Sequence, residues 1–239
     1  MTNFQARRQL AERMSDALAR HVFSLPPLLR VDIGAEFQFP PAFHGPLRKL
    51  NSPTAHFLRY MPDSAVLDPA QGKVYLLEYK AMTTPLYSKN RLRMLRERSG
   101  HDDLAPANVG VVETAALENY RRLAEAGLKV ALVIYCTYHP TRLLAEWEEK
   151  LVPLHSDRVR YGSSKASFTP YTNLHLDHIR PLGTFLRDEH PQLDSAALAA
   201  GIKKCLAELA GEPDGASLTT PRPNPGRGRP PVPPANPPR

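Results

Sequence analysis

The chain has 239 residues, 42% of them hydrophobic, which suits one sizeable domain with appendages. Its two cysteines, Cys136 and Cys205, form no CxxC pair, and its first twenty residues hold no apolar run. Those features argue against a disulfide framework, a signal peptide and a membrane span, and lead to the expectation of a reducing, cytoplasmic setting. The net charge is +7; four arginines and no acid lie from Thr219 onward, so +3 remains for the rest. A mildly basic body with a basic tail favours a polyanionic partner.

Residues 3–23 read as an amphipathic helix, with Phe4, Leu10, Met14, Leu18 and Val22 near helical spacing and "SLPPLLR" as the stop. "RVDIGAEFQF" has strand character, and "AHFLRYM" reads as another short strand. "SAVL", the turn "DPAQGK" and "VYLLEYK" together predict a β-hairpin. The basic stretch "SKNRLRMLRERSG" reads as helical, and "GVVET" as a strand end. Thr114 is placed as N-cap of the helix "AALENYRRLAEAG", which Gly127 stops.

"LKVALVIYCTY", the most apolar and β-branched run, is expected to be a central strand, joined to "GVVET" by a parallel crossover. "HPTRLLAEWEEKLVPL" reads as a helix opening after His139, with Pro140 early and Trp147 packed on it. After His155 strand and loop signals mix, until "DSAALAAGIKKCLAELAG" gives a final helix with an Asp or Ser cap and a Gly stop. Residues 211–239, rich in Pro and Arg, cannot bury a core and are expected to be a disordered tail; residues 1–210 form the expected domain. The class implied is α/β, a mixed sheet core flanked by helices.

Chemistry concentrates at the hairpin. Period-two alternation puts Tyr75, Leu77 and Tyr79 on one face and Leu76, Glu78 and Lys80 on the other. Asp63, after Pro62, opens the partner strand, so the turn can bring Asp63 and Glu78 together. Two close carboxylates repel unless a cation lies between them. Mg²⁺ suits such a site: it takes oxygen ligands, keeps waters, and beside a phosphodiester lowers the pKa of a bound water. Lys80, on the face of Glu78, can meet that water or stabilise charge developing on phosphate. Asp68 competes with Asp63, but it starts a turn where aspartate is expected for backbone reasons.

Pro62-Asp63, fourteen intervening residues and Glu78-Tyr79-Lys80 resemble the PD-(D/E)xK nuclease superfamily, with its restriction-endonuclease-like fold. The resemblance extends to the leading helix, the hairpin and the helix–strand step from Thr114 to Tyr135, over roughly residues 3–150. It implies a DNA endonuclease or exonuclease of restriction, repair or mobile-element processing, dependent on Mg²⁺ or Mn²⁺. The implied metal ligands are Asp63, Glu78 and the Tyr79 carbonyl, with Lys80 as catalytic lysine and Glu12 of the first helix as a candidate extra acid. It also implies DNA as partner and a possible homodimer. A RecB-like subgroup adds Gln-x-x-x-Tyr; here Tyr120 is present but Ala116 stands in the glutamine position.

Other readings stand beside this one. Lys89, Arg91, Arg93, Arg96 and Arg98 can grip phosphates, or form a solvated helix face docked through Leu92 and Leu95. "DHIRPL" resembles the core of HNH nucleases, with His178 as general base and Asp177 as metal ligand. Yet no asparagine occurs between Asn173 and Asn224, and His190 is followed by proline. A non-catalytic nucleic-acid-binding module on the same fold is the main alternative. The plainest alternative is an edge strand whose Glu78 and Lys80 are solvated. His175 and His139 read as structural or surface residues.

Overall fold

The computed structural model describes residues 3–50, 52–86, 88–138, 141–161 and 167–211. The tail beyond 211 and His139 lie outside the described residues. Helix α1 (Asn3–His21) leads to strand β1 (Leu29–Asp32), then to the short helices α2 (Ala35–Gln38), α3 (Pro41–Lys49) and α4 (Pro53–Arg59). The hairpin β2 (Ser64–Asp68) and β3 (Lys73–Met82) follows, then α5 (Lys89–Ser99), β4 (Val109–Glu113), α6 (Thr114–Glu125), β5 (Val130–Cys136) and β6 (Arg142–Trp147). The chain continues through β7 (Pro153–Tyr161), β8 (Ser167–His175), β9 (Arg180–Pro181), α7 (Leu182–Glu189) and α8 (Ser195–Ala210).

Two sheets result. One has six strands in the order β1-β2-β3-β5-β6-β9, the other three in the order β4-β8-β7. β5 is buried at every position and sits between β3, to which it is parallel, and the antiparallel β6. Burial on both faces is what a central strand requires, and its all-apolar sequence permits it. Ala131, Val133 and Tyr135 join Tyr75, Leu77 and Tyr79 on one face, beneath Met14, Ala17 and Leu18 of α1, Phe185 of α7 and Leu198 of α8. Leu132 and Ile134 turn the other way, against Val112 and Leu174 of the second sheet and Leu176 in the turn after β8. Leu76 and Val130 meet Ala116, Tyr120 and Leu123 of α6 on that side. The six-stranded sheet thus lies between a helical layer and a second layer of α6 and the small sheet. The arrangement is mixed α/β with flanking helices, as the sequence implies.

Five expectations are corrected. Residues 53–59 are helical rather than extended: Ser52 accepts the Ala55 N–H at 3.2 Å and Pro53 occupies the first turn, a start signal that outweighs the aromatic and β-branched content downstream. Of "RVDIGAEFQF" only the beginning is strand, because Ala35–Gln38 form α2. Residues 142–147, read as helix, are strand β6: Leu143, Ala145 and Trp147 face the α1 side and Leu144 the other, a period of two. Finally, β4 and β5 are not sheet neighbours. The parallel partner of β5 is β3, and β4 pairs antiparallel with β8. Thr114 is the first helical residue rather than the cap, which is Glu113. No helix among the described residues is long and apolar enough to cross a membrane.

Candidate active site

The ladder between β2 and β3 stops where Ser64 meets Leu77, and β3 runs on to Met82. Leu76 gives its N–H to the Lys129 carbonyl at 2.8 Å, toward β5, so Leu77 and Tyr79 present theirs at the opposite edge. Asp63, one residue ahead of β2, closes that edge: its Oδ2 accepts the Tyr79 N–H at 2.7 Å. The Tyr79 carbonyl leaves the strand by the same edge, on the side of Asp63. The Asp63 carbonyl accepts the N–H groups of Ile33 and Gly34 at 3.0 and 3.1 Å, which ties the acid to the end of β1.

The opposite face of β3 fixes the strand. The Tyr79 hydroxyl accepts from Arg30 Nε at 3.2 Å, and Arg30 also donates to Ser15, Ser64 and Asp32. Burial pushes the Tyr79 hydroxyl pKa up to about 12, against the pull of the Arg30 guanidinium.

Glu78 points to the α6 side and is only 5% exposed. A lone carboxylate there would cost several kcal/mol, on the order of what effective burial of one ion costs. Two groups offset it. The Lys80 ammonium pairs with Glu78, and the Tyr120 hydroxyl donates to it. Burial works against the Lys80 charge, but the carboxylates of Glu78, Asp63 and Glu113 outweigh it and hold its pKa above the ordinary lysine value.

Glu113 is the residue that sequence reasoning missed. It ends β4 and caps α6, and it acts on Lys80 and Tyr120 together with Asp63 and Glu78. Tyr60, also missed, donates to Glu113; burial first and Glu113 second push its hydroxyl up to about 12. Asn119 Nδ2 holds the Tyr60 carbonyl at 2.9 Å. The Tyr120 hydroxyl is raised well above its ordinary value by burial and the three acids, so both tyrosines stay protonated donors. The available signal for Glu113 was an acid at the exit of an apolar strand, the same pattern that marks Glu78. Three carboxylates facing one ammonium form a hard, oxygen-rich set with surplus negative charge. Oxygen donors of this kind are what a hard divalent cation such as Mg²⁺ or Mn²⁺ takes, but the three carboxylates do not all lie within 4.8 Å of one another.

Other candidates fall elsewhere. Asp68 is fully buried: Oδ1 accepts from Ala70 and Gln71, and Oδ2 from Gln192 at 2.6 Å and His190 Nδ1 at 2.5 Å. Burial disfavours its charge, yet those hydrogen bonds hold its pKa below the ordinary value. Asp68 therefore closes the hairpin turn and anchors His190, whose Nε2 meets the Tyr75 hydroxyl at 2.9 Å. Glu12 rides on α1, which packs on the face of β3 opposite Glu78. Ala116 is core beside Tyr120.

The basic helix α5 forms as expected, capped by Ser88 and stopped by Gly100 at φ 71°. Leu92 and Leu95 dock it on Leu104, Val109 and Leu154. Its cations divide by role. Arg96 spends its guanidinium on the Leu104 carbonyl at 2.9 and 2.7 Å, and Arg91 reaches Asn173 at 3.1 Å. Lys89, Arg93 and Arg98 are exposed, Arg93 loosely paired with Glu97.

In the "DHIRPL" segment the Asp177 carboxylate is taken by Arg142 at 2.9 Å and by Asn108. Arg180 bridges Glu146, Asp188 and Glu189. His178 lies with His101 and His175, while His190 is bound to Asp68. No family model, curated protein or solved structure matches this chain.

Proposed function

We propose that the chain is a Mg²⁺- or Mn²⁺-dependent nuclease of the PD-(D/E)xK type that hydrolyses DNA phosphodiester bonds. The observation that carries this reading is the convergence of Asp63, Glu78 and Glu113 on Lys80. The surrounding order supports it: a leading helix, three antiparallel strands with Asp63 just ahead of the second and Glu78 on the third, and a helix leading to a strand parallel to β3.

Asp63, Glu78 and the Tyr79 carbonyl would hold the cation, which supplies a hard Lewis acid that lowers the pKa of a bound water and takes up phosphoryl charge. Lys80 keeps its proton and so acts as a cation, donating a hydrogen bond to a phosphate oxygen as charge builds there. Tyr120 orients the Glu78 carboxylate by donating to it, and Tyr60 does the same for Glu113. Exposed Lys89, Arg93 and Arg98 on α5 supply phosphate contacts that position a strand without reading its sequence.

The test is cleavage of labelled plasmid and single-stranded DNA in Mg²⁺, Mn²⁺ or EDTA, with wild type and Glu78→Gln. Metal-dependent cutting that falls at least about a hundredfold in the variant supports the reading, since a preorganised charged group contributes on that scale. Cutting that survives Glu78→Gln intact removes the acid cluster from the chemistry. DNA binding without cutting by either protein points instead to a non-catalytic module.

A further inference from the structure

His101 lies in the loop after α5, His175 ends β8, and His178 closes the turn that follows. One ligand nitrogen from each imidazole lies within 4.8 Å of the other two. The rings meet edge to face or tilted, with centroids 5.0 Å apart for His101 and His175, 4.5 Å for His175 and His178, and 5.8 Å for His101 and His178. His175 is 3% exposed, and its Nδ1 has no hydrogen-bond partner among the described residues. Buried polar nitrogens are rarely left so.

We propose that His101, His175 and His178 form a binding site for one divalent transition-metal ion of the Zn²⁺ class, with water in the fourth position. Zn–N bonds of about 2.0–2.1 Å in a tetrahedral site place ligand nitrogens ~3.3 Å apart, so closing the observed cluster needs only small rotations of the imidazoles. The scaffold for two of the ligands is held in place. The His175 N–H bonds the Val152 carbonyl at 3.1 Å, Leu176 is fully buried, and Arg142 and Asn108 fix the intervening Asp177. The third ligand is anchored through buried Leu104, whose N–H meets the His101 carbonyl at 3.3 Å.

This site is distinct from the acid cluster. On the β4–β8 ladder Val109 pairs with His175 and Glu113 with Tyr171, so His175 lies four residues, about 14 Å, from the Glu113 end. Three imidazoles select Zn²⁺, Ni²⁺ or Co²⁺, whereas carboxylate and carbonyl oxygens select Mg²⁺ or Mn²⁺. A bound ion would tie the loop after α5 to the corner of the small sheet.

The experiment uses the full chain, stripped with chelator and titrated with Co²⁺ while visible absorbance is followed, then with Zn²⁺ as competitor. One equivalent of Co²⁺ should give the intense bands of a tetrahedral site, and Zn²⁺ should bleach them. His101→Ala and His178→Ala, both at partly or fully exposed positions, should each weaken Co²⁺ binding at least about a hundredfold, beyond the loss expected for an outer-shell partner. The double variant Asp63→Asn/Glu78→Gln should keep the bands. Absent bands in the wild type, bands unchanged in both histidine variants, or bands lost only in the acid variant overturn the proposal.

Discussion

Lys80→Met tests whether the acid cluster is held together by one ammonium. The replacement keeps much of the apolar stem and removes the charge that Glu78 pairs with and that Asp63 and Glu113 also act on. Removing one partner of a buried ion pair costs about 3–5 kcal/mol. The Lys80 side chain is 32% exposed, so water screens part of that loss and a cost of about 2 kcal/mol is expected. For a chain of this size the melting temperature should fall by about 4–8 °C. The fold raises the Lys80 pKa, so its contribution is complete below the unfolded value of about 10.4 and disappears only as pH rises through the higher folded value. Between mildly acidic and mildly alkaline pH the lysine therefore stays protonated, and its own titration adds no pH dependence. In the variant, a proton or a divalent cation is the remaining means of neutralising three acids, so the gap to wild type should narrow on acidification and on adding Mg²⁺. Thermal melts of both proteins, in EDTA and in Mg²⁺ across this pH range, measure all three effects. A variant that melts with the wild type in EDTA at neutral pH would refute the claim that these carboxylates lean on Lys80.

Two further substitutions probe the frame around the site. Asp68→Asn turns an amide NH₂ or a single oxygen toward donors from His190, Gln192, Ala70 and Gln71, and should cost about 2–4 kcal/mol in chemical denaturation. The folded pKa of Asp68 is depressed, so its advantage over Asn is present above the unfolded value of about 3.9 and is lost as pH falls through the folded one; a gap that widens in acid contradicts the assignment. Gly201→Ala places a Cβ 2.0 Å from the His21 carbonyl oxygen, where α8 crosses α1. A backbone oxygen cannot swing aside, so overpacking of about 1–3 kcal/mol should outweigh the helix gain of about 1 kcal/mol, and an unchanged or higher melting temperature would show that the helices do not meet there.

Local rules recovered the elements whose signals agree with their surroundings. The hairpin of 64–82, the capped final helix and the central strand all combine pattern, turn chemistry and burial in one direction. Errors fell where two signals competed. "TRLLAEW" has helix-forming leucine, alanine and glutamate, but Arg180 gives two nitrogens to Glu146 and makes an acid acceptable inside a strand. In "SPTAHFLRY" the Ser-Pro start decides against the strand-like aromatics. The rule that neighbours in sequence are usually neighbours in a sheet points the parallel crossover to β4, whereas the parallel partner of β5 is β3. Here β4 pairs with β8 instead, and the bare Cα of Gly110 lets it lie close on the core: a Cβ there would lie 2.6 Å from Leu176 and 2.9 Å from Met82.

That displacement of β4 is also why the site was half legible. Asp63, Glu78 and Lys80 share one hairpin, and their spacing follows from register alone. Glu113 arrives at the end of β4, Tyr120 on α6 and Tyr60 just beyond α4, from segments whose placement depends on packing between the two sheets. "LLEYK" and "GVVET" nevertheless share a physical oddity: each ends an apolar strand in a carboxylate. Such a residue must find a partner or pay desolvation, so the sequence announces that a partner exists without saying which. The histidines obey the same logic in reverse. His175 sits at the other end of the ladder that carries Glu113, apolar on both sides in sequence, with a nitrogen that nothing described satisfies. A soft-nitrogen cluster and a hard-oxygen cluster at opposite ends of one strand pair draw on different metals. On the two proposals above, Co²⁺ absorbance would report the histidines and Mg²⁺-dependent cleavage the acids, so the two sites would be read by different assays.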